Sequence, residues 1–182
     1  MERTAVFREP AEVVEFWRKA GPARWFMKSD EFDAEFRERA LDLHERAAAG
    51  ELDDWVASAE PALALVLLLD QFPRNAFRGS PRVYATDSLA RRYADLALRA
   101  GFDQKVEPAL RFFFYLPFEH SESLDDQERS VRLHEAIGFT DYAYHHREII
   151  RRFGRFPHRN QVLGRPSTAA EEAFLEAGGF RG

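Results

Sequence analysis

Apolar residues in this chain recur every three or four positions, and no stretch of useful length alternates with period two. That periodicity confines the fold to packed helices, because a half-buried strand needs strict alternation. Val, Ile and Thr are sparse as well, so strands would lack their usual material. The clearest stripe is Phe32, Phe36, Ala40, Leu43 and Ala47, at spacings of four, four, three and four.

Punctuation sets the helix boundaries. Pro10 is pre-set for a first turn and Gly21 for a stop, predicting a helix over 10–20. The stripe predicts one over 30–48, closed by Gly50. A short piece over 51–58 carries Trp55. The run Ala62–Leu69 predicts a central buried helix over 61–72, ended by Pro73. Further helices are expected over 82–100 before Gly101, over the aromatic stretch 108–116, over 124–137 with Ser123 as N-cap, and over 142–153 before Gly154. Thr168-Ala-Ala-Glu171 reads as a capping box opening the last helix, which stops before Gly178 and Gly179. The expectation is an all-α fold of about nine helices, with residues 1–182 forming one domain.

Composition narrows the function classes. With 182 residues the chain is long enough for a full core without a staple. It has no cysteine, which excludes disulfides, thiolate metal sites and a cysteine nucleophile, and fits a cytoplasmic location. The N-terminal ten residues are charged and read as no signal peptide. The eight-residue run Ala62–Leu69 is far short of the roughly 20 that a membrane span needs. A net charge of −5 argues against a nucleic-acid coat, and no Gly-rich phosphate loop or dinucleotide fingerprint is present. No cofactor is expected. Of 26 basic residues only Lys19, Lys28 and Lys105 are lysine. Arginine dominates, and its flat fork suits carboxylate and phosphate.

Three interhelical connections share a design: Asp70-Gln-Phe-Pro-Arg-Asn75 with Arg78, Leu116-Pro-Phe-Glu-His-Ser-Glu122, and Phe153-Gly-Arg-Phe-Pro-His-Arg-Asn160 with Arg165. Counted on the expected helices, the loops follow the fourth, sixth and eighth, which puts them at one edge of an up-down stack. That edge would gather Asp70, Arg74, Asn75, Arg78, Glu119, His120, Glu122, Arg152, Arg155, His158, Arg159, Asn160 and Arg165. The arginine surplus, walled by phenylalanines, predicts a small anion or an acidic peptide as ligand. Arg74, Arg155 and Arg159 would hold it, Glu119 and Glu122 would orient the arginines, and His120 and His158 would tune the charge.

Two other readings of the same residues stand beside this one. A small hydrolase acting on a phosphate or carboxylate compound would draw its catalytic groups from His120, Glu122 and His158. A scaffold would use the network only to lock loops together. A metal site built from Glu119, His120, Glu122 and His158 is not expected, because no metal-ligand helical spacing exists and arginines crowd the set. Of the neighbours His145 and His146, one should face the stack and one solvent.

The same loops carry a resemblance. Trp25-Phe26, Gly50 to Trp55, Leu68 to Asn75, Ala85-Thr-Asp87, Arg111 to Gln127 and Phe153 to Glu171 resemble the bacterial DUF924 family, over about Val13 to Phe174. Phe16-Trp17-Arg18-Lys19 departs from the Phe-Trp-Phe-Gly that the family often carries there. The resemblance implies a TPR-like α–α superhelix. It implies no settled activity and no catalytic residues, and a likeness of fold does not transfer function.

Overall fold

A computed structural model describes residues 5–182. Residues 1–4, part of the stretch read as lacking a signal peptide, lie outside the described residues. Among the described residues the chain is all-α, with ten α-helical segments and no strand. None of the helices is long and apolar enough to cross a membrane. The fold divides into two compact units: the first runs up to Arg78 and over Arg82–Pro117, and the second comprises Gly79–Pro81 and Phe118–Gly182.

The first unit opens with α1 (Pro10–Ala20), α2 (Pro22–Trp25) and α3 (Asp30–Ala48). Pro10 sits in the first turn of α1, and Ser29 Oγ accepts the Phe32 N–H to start α3. Every residue of the α3 stripe is buried. Trp17 lies at the centre, ringed by Trp25, Phe32, Phe36 and Phe113, and the Trp25 indole N–H donates to the Trp17 carbonyl at 2.7 Å. Each such aromatic contributes roughly 1.5–3 kcal/mol by leaving water.

The apolar run becomes the central helix, as its lack of a polar face requires, but Pro73 does not end it. The chain continues from α4 (Ala59–Val66) through one π-helical turn (Leu67–Gln71) into α5 (Phe72–Ala76). Proline has no N–H to donate to the carbonyl four residues back. Phe72 N–H reaches five residues back to Leu67 instead, and the Leu69 carbonyl takes a hydrogen bond from Thr86 Oγ1 at 2.6 Å. The neighbouring carbonyls of Leu68 and Asp70 accept from His44 Nδ1 and Arg74 Nη1, both at 2.8 Å. With side chains supplying the donors, the helix passes through the proline.

Two further boundaries differ from expectation. The helix expected from 82 begins at Asp87 (α6, Asp87–Arg99), because Thr86 and Asp87 turn their side chains to Leu69 and Arg74 and a 3-10 turn fills Pro81–Val83. The aromatic stretch Pro108–Phe114 is 3-10, a geometry that stacks residues three apart and so buries Leu110 and Phe113 together. The chain then passes through α7 (Leu116–Glu119).

In the second unit α8 (Leu124–Glu135) packs on α9 (Asp141–Phe153), and α10 (Ala169–Glu176) follows a long connection. Ile149, Ile150 and Phe156 form its apolar centre, flanked by Phe153, Phe174 and Phe180. Ser123 occupies the N-cap of α8 without a side-chain cap bond; Ser121 Oγ accepts from Ser123 N and donates to Asp126 instead. Gly154 ends α9 in the left-handed conformation, and the Thr168–Glu171 capping box opens α10.

The first of the three connections is itself helical, and the second is mostly α7.

Candidate functional site

The charged residues of the first connection pair inside the first unit. Asp70 is fully buried at the π turn and accepts from Gln71 Nε2 at 2.7 Å. Arg74 grips Asp87 with both terminal nitrogens, at 2.8 and 2.9 Å, and lies 3.5 Å from Asp70. The two carboxylates raise the Arg74 pKa although burial opposes its charge. Asn75 and Arg78 both donate to Asp33, at 2.7 and 2.6 Å. These bonds form two groups, Arg74 with Asp87 and Asp70, and Asn75 and Arg78 with Asp33.

The second unit brings the other two connections together. Glu122 accepts the Phe156 N–H at 2.8 Å and both terminal nitrogens of Arg165 at 2.7 and 2.9 Å. Burial alone would raise its pKa, but these bonds lower it, so it clamps one loop to the other as a carboxylate. Arg155 binds Glu171 through two nitrogens at 2.7 and 2.8 Å. Glu171 also receives Asn160 Nδ2 at 3.1 Å and Thr168 N at 2.9 Å. Arg155, joined by the Thr168 and Asn160 bonds, holds the Glu171 pKa down to about 2. Arg165 Nε donates to Asn160 Oδ1, linking the Glu122–Arg165 pair to the Arg155–Glu171 pair through Asn160. Arg152 lies over the rings of Phe153 and Phe174.

Under this brace sits a buried histidine cluster. Glu119 lies 3.6 Å from His134 Nε2 and 3.6 Å from His146 Nδ1. Each histidine also aims Nδ1 at the carbonyl four residues earlier, Ser130 at 2.9 Å and Tyr142 at 2.7 Å. A carbonyl only accepts, so Nδ1 carries the proton in both rings. Burial lowers both pKa values, that of His146 to about 3, so both rings are neutral at pH 7. Gln127 Nε2 donates to the carbonyls of Glu119 and Ser121. Arg159 is buried, donates to the His120 carbonyl at 2.9 Å, and lies over the Phe156 ring. The two neighbours face opposite ways, as expected of adjacent helical positions: His146 is buried and His145 exposed. Among the described residues no group of three or more His, Asp or Glu is arranged to hold a metal ion.

Beside the cluster a cleft of about 240 Å³ opens, lined by Pro157, His158, Gln161, Ser167, Leu175 and Arg181. Arg181 donates to the Leu175 carbonyl, and among the described residues no carboxylate lies within ion-pair distance of it. Of the residues named from sequence, only His158 lines this cleft. Arg181, Gln161 and Ser167 were missed, since nothing local marks them. His134 was missed too, though Gln127, Ser130 and His134 recur at helical spacing and put polar groups on the inner face of α8. That pattern is a readable sign of a polar core.

A family profile described as "Bacterial protein of unknown function (DUF924)" matches residues 13–179. A solved structure of a protein of unknown function from Agrobacterium tumefaciens is similar at 52% identity, covering 92% of this chain and 97% of that one, with a TM-score of 0.91. No curated protein matches the chain.

Proposed function

The chain belongs to the DUF924 family, and we propose that its second unit binds a small oxyanion, a carboxylate or phosphate, in the cleft lined by Pro157, His158, Gln161, Ser167, Leu175 and Arg181. One observation carries this reading: Arg181 presents a guanidinium that has no carboxylate partner among the described residues, in the same cleft as His158, Gln161 and Ser167. An unneutralised guanidinium beside side-chain donors is the chemistry that takes up an oxyanion. The cleft is smaller than the roughly 300–1,000 Å³ typical of drug-sized ligands, so the occupant is a small one.

The other charged residues serve this site from behind. Arg155, Arg165 and Asn160, with Glu122 and Glu171, fix the loop that carries His158 and Gln161. Arg159 and His120 tie that loop to the segment after α7. Arg74 and Arg78 are paired with carboxylates within the first unit, Asn75 is hydrogen-bonded there, and all three stabilise it.

Calorimetric titration of the full chain with inorganic phosphate, sulfate and acetate tests the proposal. At least one anion should bind, more weakly as ionic strength rises. Arg181→Gln should weaken it by about tenfold or more, since a hydrogen bond to a charged group contributes roughly 1.5–3 kcal/mol. Absence of binding across the series, or unchanged binding by Arg181→Gln, refutes it.

A further inference from the structure

The segment after α10 crosses both the cleft and the histidine cluster. Gly178 N–H bonds to Leu175 O and Gly179 N–H to Phe174 O, a left-handed helix stop with Gly178 at φ +84°. A Cβ on Gly179 would fall 2.5 Å from the Phe174 carbonyl oxygen, so the chain leaves the helix through a turn only glycine permits. Phe180 then lies edge-on to three imidazoles, with ring centroids 4.7 Å from His146, 5.1 Å from His158 and 5.7 Å from His145. Gly182 follows over the His158 ring, where a Cβ would come within 3.1 Å.

We propose that Gly178–Gly182 is a strap which an anion in the cleft latches shut over the histidine cluster. The inference rests on the anion reading above and adds its regulation. His158 couples the two events: Phe180 touches its ring, and the same ring lines the cleft. Arg181 couples them through the chain, because it is bonded directly to Phe180. An anion held by Arg181 and His158 fixes the residue on each side of the Phe180 seat. When Phe180 leaves its seat, Arg181 leaves the cleft. Seating and anion binding therefore favour each other by the same factor. The two glycines place the hinge, and Phe180 is a positioning residue that never meets the anion.

Hydrogen–deuterium exchange of the full chain, read over 174–182 with and without inorganic phosphate, tests this beside phosphate titration of wild type, Phe180→Ala and Phe180→Leu. Phosphate should slow exchange of the strap amides by about fivefold or more. Phe180→Ala should weaken phosphate binding about fivefold to tenfold, and Phe180→Leu should restore most of it. Phosphate that binds wild type and Phe180→Ala alike, with strap exchange unchanged, overturns the latch and leaves the anion site standing. If phosphate does not bind but sulfate or acetate does, that anion serves as the probe in both measurements; failure of all three to bind wild type overturns both proposals. If Phe180→Ala does not fold, the exchange response of wild type and the affinity of Phe180→Leu still decide the matter.

Discussion

Acidification from pH 7 to pH 5 should loosen the second unit through His146. The ring is buried, with its Nδ1 proton on the Tyr142 carbonyl and Glu119 at 3.6 Å; His120, His145 and Arg159 also bear on it. Its folded pKa is about 3, against about 6.5 in an unfolded chain. The unfolded state therefore takes up a proton that the folded state refuses. Above pH 6.5 neither state binds it, and stability is unaffected. Below 6.5 stability falls with each pH step, until the folded ring titrates near 3. At pH 5 this one group costs about 2 kcal/mol, from the fraction of unfolded rings that are protonated. For a chain of this size that lowers the Tm by about 4–8 °C.

The assay is thermal unfolding followed by circular dichroism at pH 7 and pH 5, at constant ionic strength, for wild type and His146→Gln. Glutamine can keep a donor on Tyr142 but has no proton to gain. The absolute Tm of the variant is irrelevant; the difference between the two pH values decides. Wild type should lose about 4 °C or more beyond what His146→Gln loses. Some acid sensitivity should persist in the variant, because the His134 pKa is also lowered by burial. Equal losses in the two proteins would refute the assignment of a buried neutral imidazole.

Three other substitutions follow from the networks. Asp87→Asn leaves the Asp70 carboxylate, 3.5 Å away, to offset the Arg74 charge, and should cost about 2–4 kcal/mol in urea unfolding, since a largely buried cation loses its bidentate carboxylate. Thr86→Val strands the Leu69 carbonyl beside Pro73 and should cost about 1–2 kcal/mol, with Thr86→Ser close to wild type. Glu171→Gln should cost about 2 kcal/mol at pH 7, less than its lowered pKa would give in full because Arg155 is partly solvated. That cost should hold above about pH 4.5 and fade toward pH 2, as the wild-type carboxylate itself takes up a proton.

What sequence alone determined lies within one or two helical turns. The α3 stripe, the Gly21 and Gly154 stops and the Thr168–Glu171 box all depend on residues at most four positions apart along a stripe or within a cap. Such features are set by backbone geometry and local hydrogen bonds, so periodicity and punctuation reveal them. The all-α class follows from them.

Tertiary structure decided the rest, because its partners are remote. Pro73 reads as a stop until Thr86, 17 residues from Leu69, supplies the donor that the proline removes. Arg78 reads as an anion ligand until Asp33, 45 residues away, neutralises it. Arg165 is claimed by Glu122 across 43 residues. An arginine's charge is visible in sequence, but its neutralisation depends on which carboxylate the fold delivers within 3 Å. Residues of the conspicuous Phe-Pro-Arg-Asn and Phe-Pro-His-Arg-Asn motifs thus find remote partners within the fold, while Arg181, between Phe180 and Gly182, lines a cleft.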